Sequence, residues 1–135
     1  MAFVIDNSVV CGWLLENQAS DYTDGIARRL AAERAVAPGL LVLEYTNVLR
    51  TACRRQHTVA SRAQEMLAML TTLPIDIDTT IPNAAQLFAL ASRYDLTSYD
   101  ALYLDLALRR SVPIATRDAA LADAAVAAGL GVVPG

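Results

Sequence analysis

Phe3-Val4-Ile5-Asp6-Asn7-Ser8 is a short apolar run that ends on a carboxylate beside two small polar residues. β-Favouring residues this close to the N-terminus predict a buried strand, and the switch to Asp-Asn-Ser predicts its end opening into a helix. Asp6 then stands where open α/β sheets place their ligands, outside the carboxyl ends of the strands. Outward from this stretch, Val112-Pro113-Ile114-Ala115-Thr116 is a second apolar run, and it too is followed by an acid, Asp118.

Between them the pattern alternates. Ser8 to Glu16 is expected to be a helix with Val9, Val10, Trp13 and Leu14 on its apolar face, and Asp21 to Ala32 another, with Tyr22, Ile26 and Leu30 at i+4 steps. Ala35-Val36-Ala37 is strand-like and closed by Pro38-Gly39. Helices are expected over Leu41 to Gln56 and Val59 to Leu70, then a strand at Pro74-Ile75-Asp76-Ile77. Ile81 to Tyr94 and Ser98 to Arg110 follow as helices, Ser98 being a suitable N-cap. The second of these, apolar nearly all round at Leu102, Tyr103, Leu104, Leu106 and Leu108, belongs in the centre of the fold. A helix from Asp118 to Ala128 and a last strand at Gly131-Val132-Val133 complete a single α/β domain spanning 1–135: a three-layer sandwich around a mainly parallel, short-stranded sheet.

The chain has 135 residues, enough to bury a core without disulfide or metal staples. No stretch reaches the ~18 uninterrupted apolar residues of a membrane span, and the start lacks the basic segment of a signal peptide. A cytoplasmic location is expected, without membrane association. Cys11 and Cys53 lack metal-type spacing and read as buried small hydrophobes. The formal net charge of −3 speaks against a nucleic-acid binder at first sight. Four acids set aside as cation ligands leave −3 + 4 = +1, and every one of the eleven basic residues is arginine, the side chain best suited to grip phosphate.

Those four acids are Asp6, Glu44, Asp100 and Asp118. Asp6, Asp100 and Asp118 each stand near a predicted helix start, where a carboxylate caps free N–H groups. Glu44, inside Leu40-Leu41-Val42-Leu43-Glu44-Tyr45, is either on an exposed helix face or an expensive buried charge in need of a partner. Together they say more: three converge on one edge of an α/β sheet, and Glu44, with Asn47 three residues on, presents a helix face able to close the site. Such a cluster repels itself unless a divalent cation holds it, and oxygen-only ligands select Mg²⁺ or Mn²⁺. Asp105 and Asp123 lie about 140° round their helices from the motif acids and are left out. Arg109 and Arg110 answer the negative end of their helix. Arg50, Arg54 and Arg55 line either a nucleic-acid path or a solvated face.

Val4-Ile5-Asp6-Asn7-Ser8, Leu43-Glu44-Tyr45-Thr46-Asn47-Val48-Leu49, Thr97-Ser98-Tyr99-Asp100-Ala101-Leu102-Tyr103 and Ala115-Thr116-Arg117-Asp118 resemble, in order, the four motifs of PIN-domain nucleases. Length and motif order are most similar to the VapC-like toxins of toxin-antitoxin pairs. The resemblance implies a PIN-like fold, Asp6, Glu44, Asp100 and Asp118 as the catalytic metal-site acids, and Ser8 and Thr116 in support. Asn47, on the same helix face as Glu44, is expected to support the site as well, and Arg117, between Thr116 and Asp118, is either a contact to substrate phosphate or surface charge. It further implies an endoribonuclease needing Mg²⁺ or Mn²⁺, a homodimer, and inhibition by a cognate antitoxin. RNA comes from the resemblance, since metal-assisted hydrolysis, which leaves a 5′-phosphate and a 3′-hydroxyl, does not use the 2′-hydroxyl. Two alternatives stay open: a catalytically silent PIN-like protein-binding module, and a metal-dependent nuclease acting on DNA. Paired-histidine ribonuclease chemistry is excluded because His57 is the only histidine. Receiver domains and aspartyl phosphatases normally need a lysine, and there is none. A mean hydropathy of +0.35 points to exposed apolar surface for a protein partner.

Overall fold

The computed structural model describes residues 1–135. Four parallel strands form the sheet: β1 (Ala2–Ile5), β2 (Arg34–Pro38), β3 (Ile75–Asp78) and β4 (Ile114–Ala115), in the order β3-β2-β1-β4. β1 is central, with Val4 in register with both Val36 and Ile114. A parallel sheet has both faces covered, so its central strand is apolar throughout rather than alternating; Phe3, Val4 and Ile5 are all fully buried. The pleat divides them. Phe3 and Ile5 join Ala35, Ala37, Val9, Leu41 and Tyr45 in one core layer, while Val4 and Val36 face Tyr103, Leu104, Leu106 and Leu121 in the other.

The first layer is made by α1 (Asn7–Leu14), α2 (Asp21–Arg29), α3 (Leu40–Arg54) and α4 (Ala60–Leu70), and the second by α5 (Ala84–Tyr94), α6 (Ser98–Arg110) and α7 (Ala119–Ala127). The three-layer α/β sandwich expected from the sequence is the fold observed, and its sheet is parallel throughout. No helix is long and apolar enough to cross a membrane.

Several boundaries differ from the sequence reading for local reasons. The helix expected from Ile81 begins at Ala84, because Asn83 and Gln86 form a reciprocal capping box that fixes the start beyond Pro82. Thr97, not Ser98, caps α6: its hydroxyl accepts the Asp100 N–H at 3.1 Å. The last strand shrinks to a bridge between Ile114 and Val132. The α1 helix stops at Leu14 and passes into a 3₁₀ turn at Glu16–Gln18. Arg109 and Arg110 are held by carboxylates rather than by the helix end: Arg109 pairs with Asp105 at 2.9 Å, and Arg110 with Asp78 at 2.8 Å. That leaves Asp105 committed to a neighbour, and Asp123 is exposed.

The α1–α2 contact that carries the N-terminal end of the site depends on Gly12. A Cβ there would meet Thr23 Cγ2 at 2.4 Å, and Thr23 is fully buried, both capping α2 and offering its carbonyl to Trp13 Nε1 at 2.6 Å. Gly12→Ala gains up to about 1 kcal/mol of helix propensity but overpacks the contact, which typically costs ~1–3 kcal/mol. The expected outcome is net destabilisation, read as a lower urea midpoint at unchanged m-value.

Candidate metal centre

Each acid reaches the site from a different element. Asp6 follows β1 and caps α1: one carboxylate oxygen accepts the Val9 N–H at 3.4 Å and the Ser8 hydroxyl at 2.6 Å, while the other accepts the Thr116 hydroxyl. Thr116, just beyond β4, accepts the Asp118 N–H on the same hydroxyl oxygen at 3.0 Å, and Asp118 caps α7 through the Leu121 N–H at 2.9 Å. The capping readings of Asp6 and Asp118 are therefore true, and they also orient the two residues on one sheet edge. Asp100 differs. Thr97 does the capping of α6, so the Asp100 carboxylate is free of that duty.

Glu44 is half-buried and accepts a 2.6 Å hydrogen bond from the Tyr103 hydroxyl, one turn beyond Asp100 on α6. This resolves the odd position of an acid in an apolar helix: a buried phenol supplies its partner. Tyr103, 1% exposed and held well above the ordinary phenol range by burial and by Glu44, stays a neutral donor. Sequence reading counted Tyr103 as core alone. Its signal was a hydroxyl in an otherwise aliphatic helix, since buried tyrosine oxygens usually find a partner. Tyr103→Phe is expected to raise the Mg²⁺ concentration needed for half-maximal cleavage several-fold and to cost about 1 kcal/mol of stability, measured by metal titration and urea unfolding.

Asp100 feels the other three carboxylates. Asp100 is pushed up to about 6, first by burial and then by the charges of Asp118, Glu44 and Asp6. Burial raises Asp6 as well, against the lowering hydrogen bonds of Ser8 and Thr116, and raises Glu44 against that of Tyr103. None of the six ion pairs in the chain involves any of them. Uncompensated carboxylates with raised pKa values, surrounded by hydroxyls and no cation, form a donor set suited to a hard divalent ion. As the side chains stand, no three His, Cys, Asp or Glu groups of the chain are gathered tightly enough to hold one ion. A bound ion would have to draw them inward against that repulsion.

Two other expected site residues have other contacts. Asn47 makes no side-chain hydrogen bond to the acids and lines a cleft between α3 and α4. Arg117 adjoins the site: its guanidinium donates to the Ser8 carbonyl and to the Gln18 carbonyl at 2.7 Å, while its backbone N–H donates to the Ser8 hydroxyl at 3.0 Å. It staples the turn after α1 to the sheet edge, so most of its visible work is structural. Cys11 is buried beside the site with its thiol pushed up to about 11, an inert small hydrophobe as expected.

The sequence model described as PIN domain matches residues 3–127. The chain is similar to ribonuclease VapC1 of Mycobacterium tuberculosis, in both the CDC 1551 and H37Rv strains, with 37% identity over 90 residues. That alignment covers 65% of this chain, and the chain spans 65% of the length of the curated relatives it matches. Among solved structures, PAE2754 from Pyrobaculum aerophilum shares the fold at a TM-score of 0.68 with 21% identity, covering 92% of this chain and 79% of that one. VapC20 of Mycobacterium tuberculosis, described as a sarcin-ricin loop cleaving toxin, matches at a TM-score of 0.65 with 15% identity over 98% of this chain and 99% of that one.

Proposed function

The chain belongs to the PIN-domain family, and from that premise we propose that residues 1–135 act as one nuclease domain, an endoribonuclease of the toxin type that uses Mg²⁺ or Mn²⁺. The observation that supports the reading is that the Asp100 carboxyl is raised by the charges of Asp118, Glu44 and Asp6, none of which has a cationic partner. Held by Asp6, Glu44, Asp100 and Asp118, a divalent ion would supply Lewis-acid polarisation of a phosphoryl oxygen and a water acidic enough to serve as nucleophile near neutral pH. The chain's own groups do the rest. Ser8 and Thr116 orient Asp6 and draw its raised pKa back down, Tyr103 does the same for Glu44, and Asp100 is left free of capping to face the ion.

The RNA substrate is supported by the 37% identity to a ribonuclease. Apolar groups left on the surface support a partner: Leu43, Ile81, Phe88 and Tyr99 are each more than 60% exposed. We assign this surface to self-association and to an antitoxin-type inhibitor. The test of the function is incubation of single-stranded and structured RNA with the purified chain in Mg²⁺ or Mn²⁺, followed by end-group analysis. Fragments bearing 5′-phosphate and 3′-hydroxyl ends are expected. Cyclic 2′,3′-phosphate ends, or the same cleavage in EDTA, would overturn metal-assisted hydrolysis.

A further inference from the structure

A cleft of about 570 Å³ opens between the 3₁₀ turn at Glu16–Gln18, the second half of α3 and the start of α4. This lies within the ~300–1,000 Å³ of ordinary ligand pockets. It contains none of the four acids but begins where they end. Asn47 is one turn beyond Glu44 on α3, and Gln18 is tied to Arg117, the neighbour of Asp118. Nine of its thirteen lining residues carry polar side chains, while apolar atoms make up about half of its exposed wall.

Residues 50–62 carry four arginines with no acid among them, in a protein of net charge −3. Two of them, Arg55 and Arg62, line the cleft with His57, and Glu16 is the single acid in its walls. Arg55 and His57 are exposed and take part in no ion pair, and Arg62 has only a solvent-exposed i,i+3 partner in Glu65, a kind of pair worth little. The turn that presents His57 is fixed. Gln56 ends α3 in the left-handed region at φ 59°, and the His57 N–H donates back to the Ala52 carbonyl at 2.8 Å.

We infer that this cleft seats a nucleotide of a single-stranded RNA a few positions from the cut phosphodiester, with Arg55 and Arg62 on its phosphate and His57 against its base. Arginine grips phosphate through paired N–H groups, and single-stranded RNA is read by ring stacking and by hydrogen bonds to base edges, for which Asn47 and Gln18 stand in the same walls. An amphipathic peptide would instead call for an apolar groove. The inference rests on the nuclease reading and supplies what that reading lacks, a means of choosing which bond is cut.

The experiment uses Asp100→Asn protein, to hold RNA uncut, and a short 5′-fluorescein single-stranded RNA of mixed sequence read by anisotropy in Mg²⁺. Arg55→Ala with Arg62→Ala should weaken binding by roughly tenfold or more and flatten its salt dependence by about one to two counter-ions. His57→Ala should weaken binding roughly fivefold or more with the salt slope unchanged, as expected for lost stacking. All three side chains are at the surface, and unchanged melting curves will show that the variants fold. Ultraviolet cross-linking from 4-thiouridine to the peptide bearing His57 is the independent readout. Affinity within about twofold of the parent in both variants, while unmutated protein still cleaves RNA, overturns the cleft assignment and leaves the nuclease reading standing. No metal-dependent cleavage by the unmutated protein overturns the nuclease reading itself. Protection of the α3–α4 turn from hydrogen exchange by a protein partner, but not by RNA, assigns the cleft to that partner and overturns the inference.

Discussion

Asp100→Asn is expected to lower metal-dependent RNA cleavage by about a thousandfold, ~4 kcal/mol of transition-state stabilisation, while raising the melting temperature of the metal-free chain. The two effects have one origin. Asp100 lies in the first turn of α6 but does not cap it, and its carboxyl is pushed up to about 6 by burial and by Asp118, Glu44 and Asp6. Its folded pKa is therefore above the unfolded value of 3.8, so the folded chain holds a proton that the unfolded chain has released. The stability linked to that proton is complete below the unfolded value and is lost as pH rises through about 6. Asparagine keeps the shape and never ionises. In EDTA, the parent should fall progressively below Asp100→Asn in melting temperature between pH 4 and 6, and the gap should level off above about pH 7. Mg²⁺ should then raise the melting temperature of the parent and leave the variant largely unmoved, because binding to the folded state stabilises only where the ligands exist. An asparagine variant that cuts RNA as fast as the parent would remove Asp100 from the chemistry. A melting gap that widens toward acid would show that its carboxylate is favoured by the fold, contrary to the charges around it.

The same residue shows how much of the site was legible in the chain. An apolar run ending on an acid reports its own placement, because a buried parallel strand must end at the sheet edge; Phe3-Val4-Ile5-Asp6 and Ile114-Ala115-Thr116 before Asp118 need no tertiary information to be read that way. Glu44 was legible as an anomaly, an acid in an apolar helix, whereas Asp100 on its own reads as an ordinary acid at a helix start and is singled out only by the motif around it. Their partners were not legible. Glu44 and Tyr103 are 59 residues apart and Asp6 and Thr116 are 110 apart, and helix or strand periodicity carries no signal over such separations. The distant partners of the arginines were hidden in the same way: Arg109 and Arg110 stand in the last turn of α6 as expected, but Arg110 also pairs with Asp78 across the fold, and the Arg117 guanidinium meets two backbone carbonyls about a hundred residues away. Asn47 shares a helix with Glu44 but faces the cleft, because one helical turn of progress along α3 moves a side chain past the sheet edge and under the turn after α1.

Thr116→Val should require roughly 10- to 100-fold more Mg²⁺ for half-maximal cleavage, the usual consequence of losing a group that orients a metal-binding acid. Thr116 is 5% exposed, and one hydroxyl serves both ends of the site: it donates to the Asp6 carboxylate and accepts the Asp118 N–H at 3.0 Å. Valine fills the same space and does neither. Burial already raises Asp6, and the Thr116 hydroxyl is one of the contacts that pull it back down, so its removal favours the protonated acid, which binds metal poorly. The acidic limb of the cleavage profile should therefore move to higher pH in Thr116→Val. Loss of the hydrogen bond to buried Asp6 should also cost about 1–3 kcal/mol of stability. Thr116→Ser restores the hydroxyl without the methyl; it should lose packing but keep the parent's metal requirement and pH profile, which separates positioning of Asp6 from packing of the β4 edge. If valine and serine shift the metal requirement equally, the methyl rather than the hydroxyl is what the site needs, and Asp6 is held by Ser8 and the α1 cap alone.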